Sequence, residues 1–123
     1  MQIIDKIITD TDTHTLFGVG DLNMKSAKKV SSIRITNTNS STATTVRVFK
    51  YKGDKNILNN NKSNRELYGH TPVSEEIDII HKDLAAKTTM TLAEDELEFY
   101  NDLQSLKFKS SQAVDLHLII KIR

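Results

Sequence analysis

Residues 113–123 read AVDLHLIIKIR. Val114, Leu116, Leu118, Ile120 and Ile122 fall on one face of an extended chain; Ala113, Asp115, His117, Ile119, Lys121 and Arg123 fall on the other. Successive side chains of a β-strand point to opposite faces, so this unbroken alternation predicts a long strand buried on one side. A strand ending in water would leave its backbone groups unpaired, so this one is expected to sit against a neighbour.

Residues 33–51, IRITNTNSSTATTVRVFKY, repeat the pattern twice. Ile33-Arg34-Ile35 and Val46-Arg47-Val48-Phe49 alternate, and the link between them is Thr, Asn, Ser and Ala, without charge, Gly or Pro. Strands over 30–37 and 44–51, joined as a hairpin, are the expectation. In residues 2–9, Ile3, Ile4, Ile7 and Ile8 fit a strand or a short helix, and their β-branching favours the strand. Leu16 or Phe17 with Val19 marks another strand, stopped by Gly20. Ile77, Ile79 and His81 alternate with Asp78 and Ile80; Met90 and Leu92 share a face; Leu106 and Phe108 point inward with Lys107 and Lys109 outward. The segment LAEDELEFYNDL, with Leu92, Leu97 and Leu103, comes nearest to a helical period but crowds its acids at the front, and reads as a loop with one helical turn. Residues 53–72, GDKNILNNNKSNRELYGHTP, form a long polar insert that holds the single Pro. The expected fold is all-β: an antiparallel β-sandwich, jelly-roll or Ig-like, with about seven or eight short strands and one long Asn-rich loop.

The chain has 123 residues, 37% hydrophobic and 6% aromatic with no Trp, which suits a single domain over 1–123 with a thin core of Ile, Leu and Val. A thin core gains when apolar surface is shared between subunits. Lys+Arg number 17 against 16 Asp+Glu, a net charge of +1. Counterion release needs clustered cations. The nearest cluster, Lys25, Lys28 and Lys29 beside Lys50 and Lys52, reads as a solvated lysine face and argues against direct nucleic-acid binding. With no Cys there is no disulfide framework, thiolate site or cysteine nucleophile. No apolar run approaches the roughly 18 residues of a membrane span, and the opening MQIIDKIITD does not read as a secretory signal.

Chemistry-bearing constellations are sparse. His14, His70, His81 and His117 are scattered, and no spacing converges three of them on a metal. Glu94, Asp95, Glu96, Glu98 and Asp102 lack the alternating ligands and turn glycine of a calcium loop. No G-x-S-x-G elbow is present, and GVGDLN at 18–23 lacks the later Gly and Lys of a phosphate loop. A non-enzymatic protein without a cofactor is the expectation. Asn59, Asn60, Asn61 and the Thr/Ser link offer amides and hydroxyls to a glycan, with Tyr51, Tyr68 and Tyr100 as the available stacking surfaces.

The order of parts from residue 33 onward resembles small bacteriophage virion proteins. A strand (33–36) runs into an Asn/Thr-rich turn (37–42) and a second strand (46–51). A loop (83–87), a Thr-rich strand (88–92), an acidic segment (93–98), an L-K-F-K-S strand (106–110) and a final alternating strand (114–122) follow. The pattern departs at Ala85-Ala86, where Pro or Gly is usual, and at the insert of 53–72. The resemblance implies a structural particle component (head decoration, neck, tail or baseplate), assembled in the host cytoplasm into the virion. Its partners would be further copies of itself, as a homo-oligomer, and other virion proteins. A glycan-binding accessory module is the alternative. The candidate contact residues are Asn37, Asn39, Ser41, Thr42, Thr44, Asn59, Asn60, Asn61 and Tyr68. A neutral tip can meet a neighbouring subunit without burying unpaired charge; the same residues can instead hydrogen-bond their own backbone.

Overall fold

The computed structural model describes residues 2–22, 29–52, 75–99, 101 and 103–123. Among these residues the chain forms β1 (Gln2–Ile8), β2 (His14–Phe17), β3 (Val30–Asn37), β4 (Thr44–Lys52), β5 (Glu75–Leu84), β6 (Thr89–Ala93), a 3₁₀ turn (Glu94–Glu96), β7 (Ser105–Ser110) and β8 (Leu116–Ile122). The strands make two four-stranded sheets, in the orders β1-β8-β3-β6 and β2-β7-β4-β5. All pairings are antiparallel.

Four of these pairs follow one rule. β1 pairs with β8, β2 with β7, β3 with β6 and β4 with β5, as if one long hairpin had been folded over itself. The β3–β8 and β4–β7 ladders then join the halves of each sheet. Only β4 and β5 are neighbours both in sequence and in a sheet; every other consecutive pair of these strands is divided between the two sheets. This is the jelly-roll form of the sandwich. In the immunoglobulin form, consecutive strands pair more often within a sheet.

The predicted hairpin at 30–51 is therefore corrected. β3 and β4 are both strands, but they lie in opposite sheets, and residues 38–43 turn a corner between layers. Ile33, Ile35, Val46 and Val48 are all fully buried. They face one another across the core instead of lying side by side. Alternation reveals which face is buried and says nothing about which layer supplies the other half.

The predicted final strand runs as expected, with Leu116, Leu118, Ile120 and Ile122 buried and His117, Ile119 and Lys121 on the half-buried outer face. Val114 is buried just ahead of the strand. Register shifts interrupt three strands, the first being β3, where the pairing with β8 shifts between Val30 and Ser32. In β2 the register shifts between Thr15 and Phe17, so that Leu16 and Phe17 are both buried, where the sequence reading chose one or the other. In β5 the register shifts opposite Val48 and Phe49, leaving Ile79 without a partner of its own. An extra residue in one strand swaps faces beyond it. Ile80 consequently packs inward opposite Val48, while His81 faces outward opposite Arg47, correcting the expected alternation of Ile77, Ile79 and His81. The acidic segment forms the single 3₁₀ turn. The insert at 53–72 lies outside the described residues.

Candidate interaction surface

The Thr/Asn link is a hydrogen-bonded corner. Asn37, the last residue of β3, is fully buried. Its amide donates to the carbonyls of Thr42 (2.9 Å) and Leu84 (3.2 Å), and its side-chain oxygen accepts from the Asn39 N–H (3.0 Å). The Asn39 oxygen accepts in turn from the N–H groups of Ser41 (2.9 Å) and Thr42 (2.8 Å). Asn side chains imitate backbone turns in this way, so the corner needs neither Gly nor Pro. Thr44 is also buried, with its hydroxyl 2.7 Å from that of Ser110 and accepting from the Gln112 N–H at 3.1 Å.

The candidate contact residues therefore separate. Asn37 and Thr44 are inside, and their polar groups hold the corners of the sandwich, which removes both from any contact surface. Ser41 and Thr42 are exposed and Asn39 half-buried at that end of the molecule. Asn59, Asn60, Asn61 and Tyr68 lie outside the described residues. Among the described residues, Asn39, Ser41 and Thr42 are the candidates that reach the surface, together at that corner.

The outer face of the β2-β7-β4-β5 sheet carries several paired side chains. Arg47 lies over Phe49, its guanidinium carbon 3.9 Å from the ring centroid, and Phe49 is 1% exposed although it sits on the side away from the main core. Burial disfavours the charge of Arg47, but hydrogen bonds to Asp78 and Glu76 outweigh it and raise the guanidinium above its ordinary pKa. The Lys107 ammonium stands 4.4 Å from the Tyr51 ring centroid. The edge strand β5 adds Glu75, Glu76, Asp78, Lys82 and Asp83, a charged edge of the sort that discourages pairing.

The other sheet differs. Its edge strand β1 carries Ile3 at 58% exposure and Ile7 at 75%, while Ile4 and Ile8 pack inward. In a strand, neighbouring isoleucines cannot both reach the core, so each pair in IIDKII must place one outside. The doubled isoleucines of IIDKII carry that signal in the sequence itself. Asp5 lies between the two exposed isoleucines, with a carboxylate oxygen 3.4 Å from Nε2 of His117 on β8. Ile119 lies opposite Asp5 on β8 and is half-buried, extending the apolar strip toward Arg34 on β3.

Among the described residues no group of three or more His, Asp or Glu is placed to hold a metal ion, and no helix is long and apolar enough to cross a membrane. No family model, no curated protein and no solved structure matches the chain.

Proposed function

We propose that the chain is a non-enzymatic structural subunit, of the kind from which a bacteriophage particle is built, and that it acts through contacts with copies of itself and with other particle proteins. The exposed apolar strip on β1 carries this reading: Ile3 and Ile7 stand in water on a sheet edge, where burial against a neighbour would release about 25 cal/mol per Å² of apolar surface. Fold adds support by analogy, since jelly rolls recur in viral capsid domains. Jelly rolls also serve as lectins, so glycan binding is the reading to be tested against this one. Light scattering coupled to size exclusion, across concentrations up to high micromolar, is expected to give a discrete oligomer with symmetric particles in negative-stain images. A strict monomer that binds a glycan array would favour the lectin reading instead.

A further inference from the structure

We infer that β1 is a self-complementary edge, through which two copies of the chain join by antiparallel β1–β1 pairing on a two-fold axis at Asp5. This rests on the assembly reading above and names the contact.

The backbone fixes which groups are available. Lys29 and Arg123 exchange both of their hydrogen bonds, at 3.1 and 2.9 Å, and Thr38 donates to the Asp115 carbonyl at 3.0 Å. Along an antiparallel strand the N–H and C=O groups of alternate residues point to alternate sides. The odd-numbered residues of β8 therefore address β3, and the even-numbered ones address β1. Those even residues lie opposite Gln2, Ile4, Lys6 and Ile8. What remains for the outer edge is the backbone of Ile3, Asp5 and Ile7, and among the described residues no strand lies there.

That set is symmetric about its centre. β1 runs from Gln2 to Ile8, so a two-fold at Asp5 pairs its whole length. It sets Ile3 opposite Ile7 of the second copy, twice, and matches each outward N–H with an outward C=O. A C2 interface requires this kind of self-complementarity. Moving the axis by one residue, to Ile4 or Lys6, places Asp5 opposite an isoleucine and shortens the ladder. The other edges fit less well: β5 is charged, β2 has four residues and a register shift, and β6 has five residues.

Asp5 is the brake on this contact. Two carboxylates directly opposite one another are unfavourable, and the His117 imidazole of each copy stands 3.4 Å from its own Asp5. The interface is thus reversible, with Asp5 setting its strength.

The chain contains no Cys, so single cysteines report the contact directly. Directly opposite residues of an antiparallel pair have Cα atoms about 4.5–5.5 Å apart, within reach of a disulfide. Asp5→Cys is expected to form a covalent dimer rapidly under mild oxidation. Ile3→Cys mixed with Ile7→Cys is expected to give the crossed dimer, and Ser41→Cys, on the corner between β3 and β4, only a slow background. In sedimentation equilibrium Ile7→Lys is expected to lose the dimer with its melting temperature unchanged, and Asp5→Asn to tighten it roughly fivefold. Cross-linking of Asp5→Cys no faster than Ser41→Cys, or an Ile7→Lys protein that dimerises like the parent, overturns the inference. If the parent still assembles in that case, the assembly reading survives through another surface. If the parent and Asp5→Asn are both monomeric throughout, both readings fall.

Discussion

Asn37 occupies a position where an apolar residue would fit the β-strand pattern but not the corner that follows. Its amide supplies donors to the carbonyls of Thr42 in the corner and Leu84 at the end of β5, and its oxygen holds the Asn39 N–H. Asn37→Ala strips these partners at once, in a place closed to water. A loss on the order of 3 kcal/mol is expected, because unsatisfied buried groups cost about 1–3 kcal/mol each and the corner can relax in part. Urea denaturation compared with Thr42→Ala, whose side chain is exposed, measures it. A second residue-scale prediction concerns acid. The Asp10 carboxylate is held below its ordinary value of 3.8, first by the hydrogen bond with His14 at 2.7 Å, then by the Asp12 N–H. A carboxylate whose pKa is lowered by folding contributes stability above its unfolded value and loses it as pH falls through its folded one. Asp10→Asn is therefore expected to be the less stable protein at pH 6, with the two unfolding curves converging as the pH falls below about 4. Unchanged separation of the two proteins at pH 2 would remove Asp10 from the acid response.

At the scale of elements, register shifts interrupt the interior strand β3, between Val30 and Ser32, and both edge strands of the other sheet, β2 and β5. The connection from β5 to β6 turns through Lys87, which has φ of 57° in the left-handed region. That conformation costs a residue with a Cβ roughly 1 kcal/mol, and Lys meets it where Gly would do so more freely. Lys87→Gly is expected to match or exceed the parent in stability. Lys87→Val, stiffened by β-branching, is expected to lose about 1 kcal/mol or more. Thermal melts of the two variants check the ordering; Val as the more stable would mean the turn does not need this conformation. The turn needs neither Pro nor Gly at Ala85-Ala86. The Thr88 hydroxyl donates to the Ala85 carbonyl at 2.6 Å and helps close it.

For the molecule as a whole, the pairing rule sets the folding problem. Gln2 pairs with Ile122, and Thr44 with Leu84 closes the innermost ladder. Most ladders thus join residues far apart in sequence, and their loop-closure entropy must be met before the contacts form. Refolding is expected on the millisecond-to-second scale of other non-local β-folds. The inner pair, β4 with β5, is expected to protect its amides first in pulsed hydrogen exchange, ahead of β1 with β8. Simultaneous protection of both pairs, or microsecond refolding, would contradict this order. The pairing of β1 then places Ile3 and Ile7 on the edge inferred to dimerise.

What the sequence determined by itself is local in origin. Alternation at 113–123 and 105–110 marked strands and their buried faces, because a strand's two-residue period is written directly into the order of side chains. The acids at 94–96 likewise marked a single turn. Tertiary structure alone decided which strands became neighbours. Ile33, Ile35, Val46 and Val48 carry the same pattern whether two strands lie side by side or face to face. It decided, too, that Asn37 and Thr44 face inward, since a polar residue is buried only where distant carbonyls and hydroxyls satisfy it. The exposed strip on β1 belongs to both levels. The doubled isoleucines dictate that one of each pair is outside, but only the assembled sheet, whose outermost strand among the described residues is β1, places them at an edge.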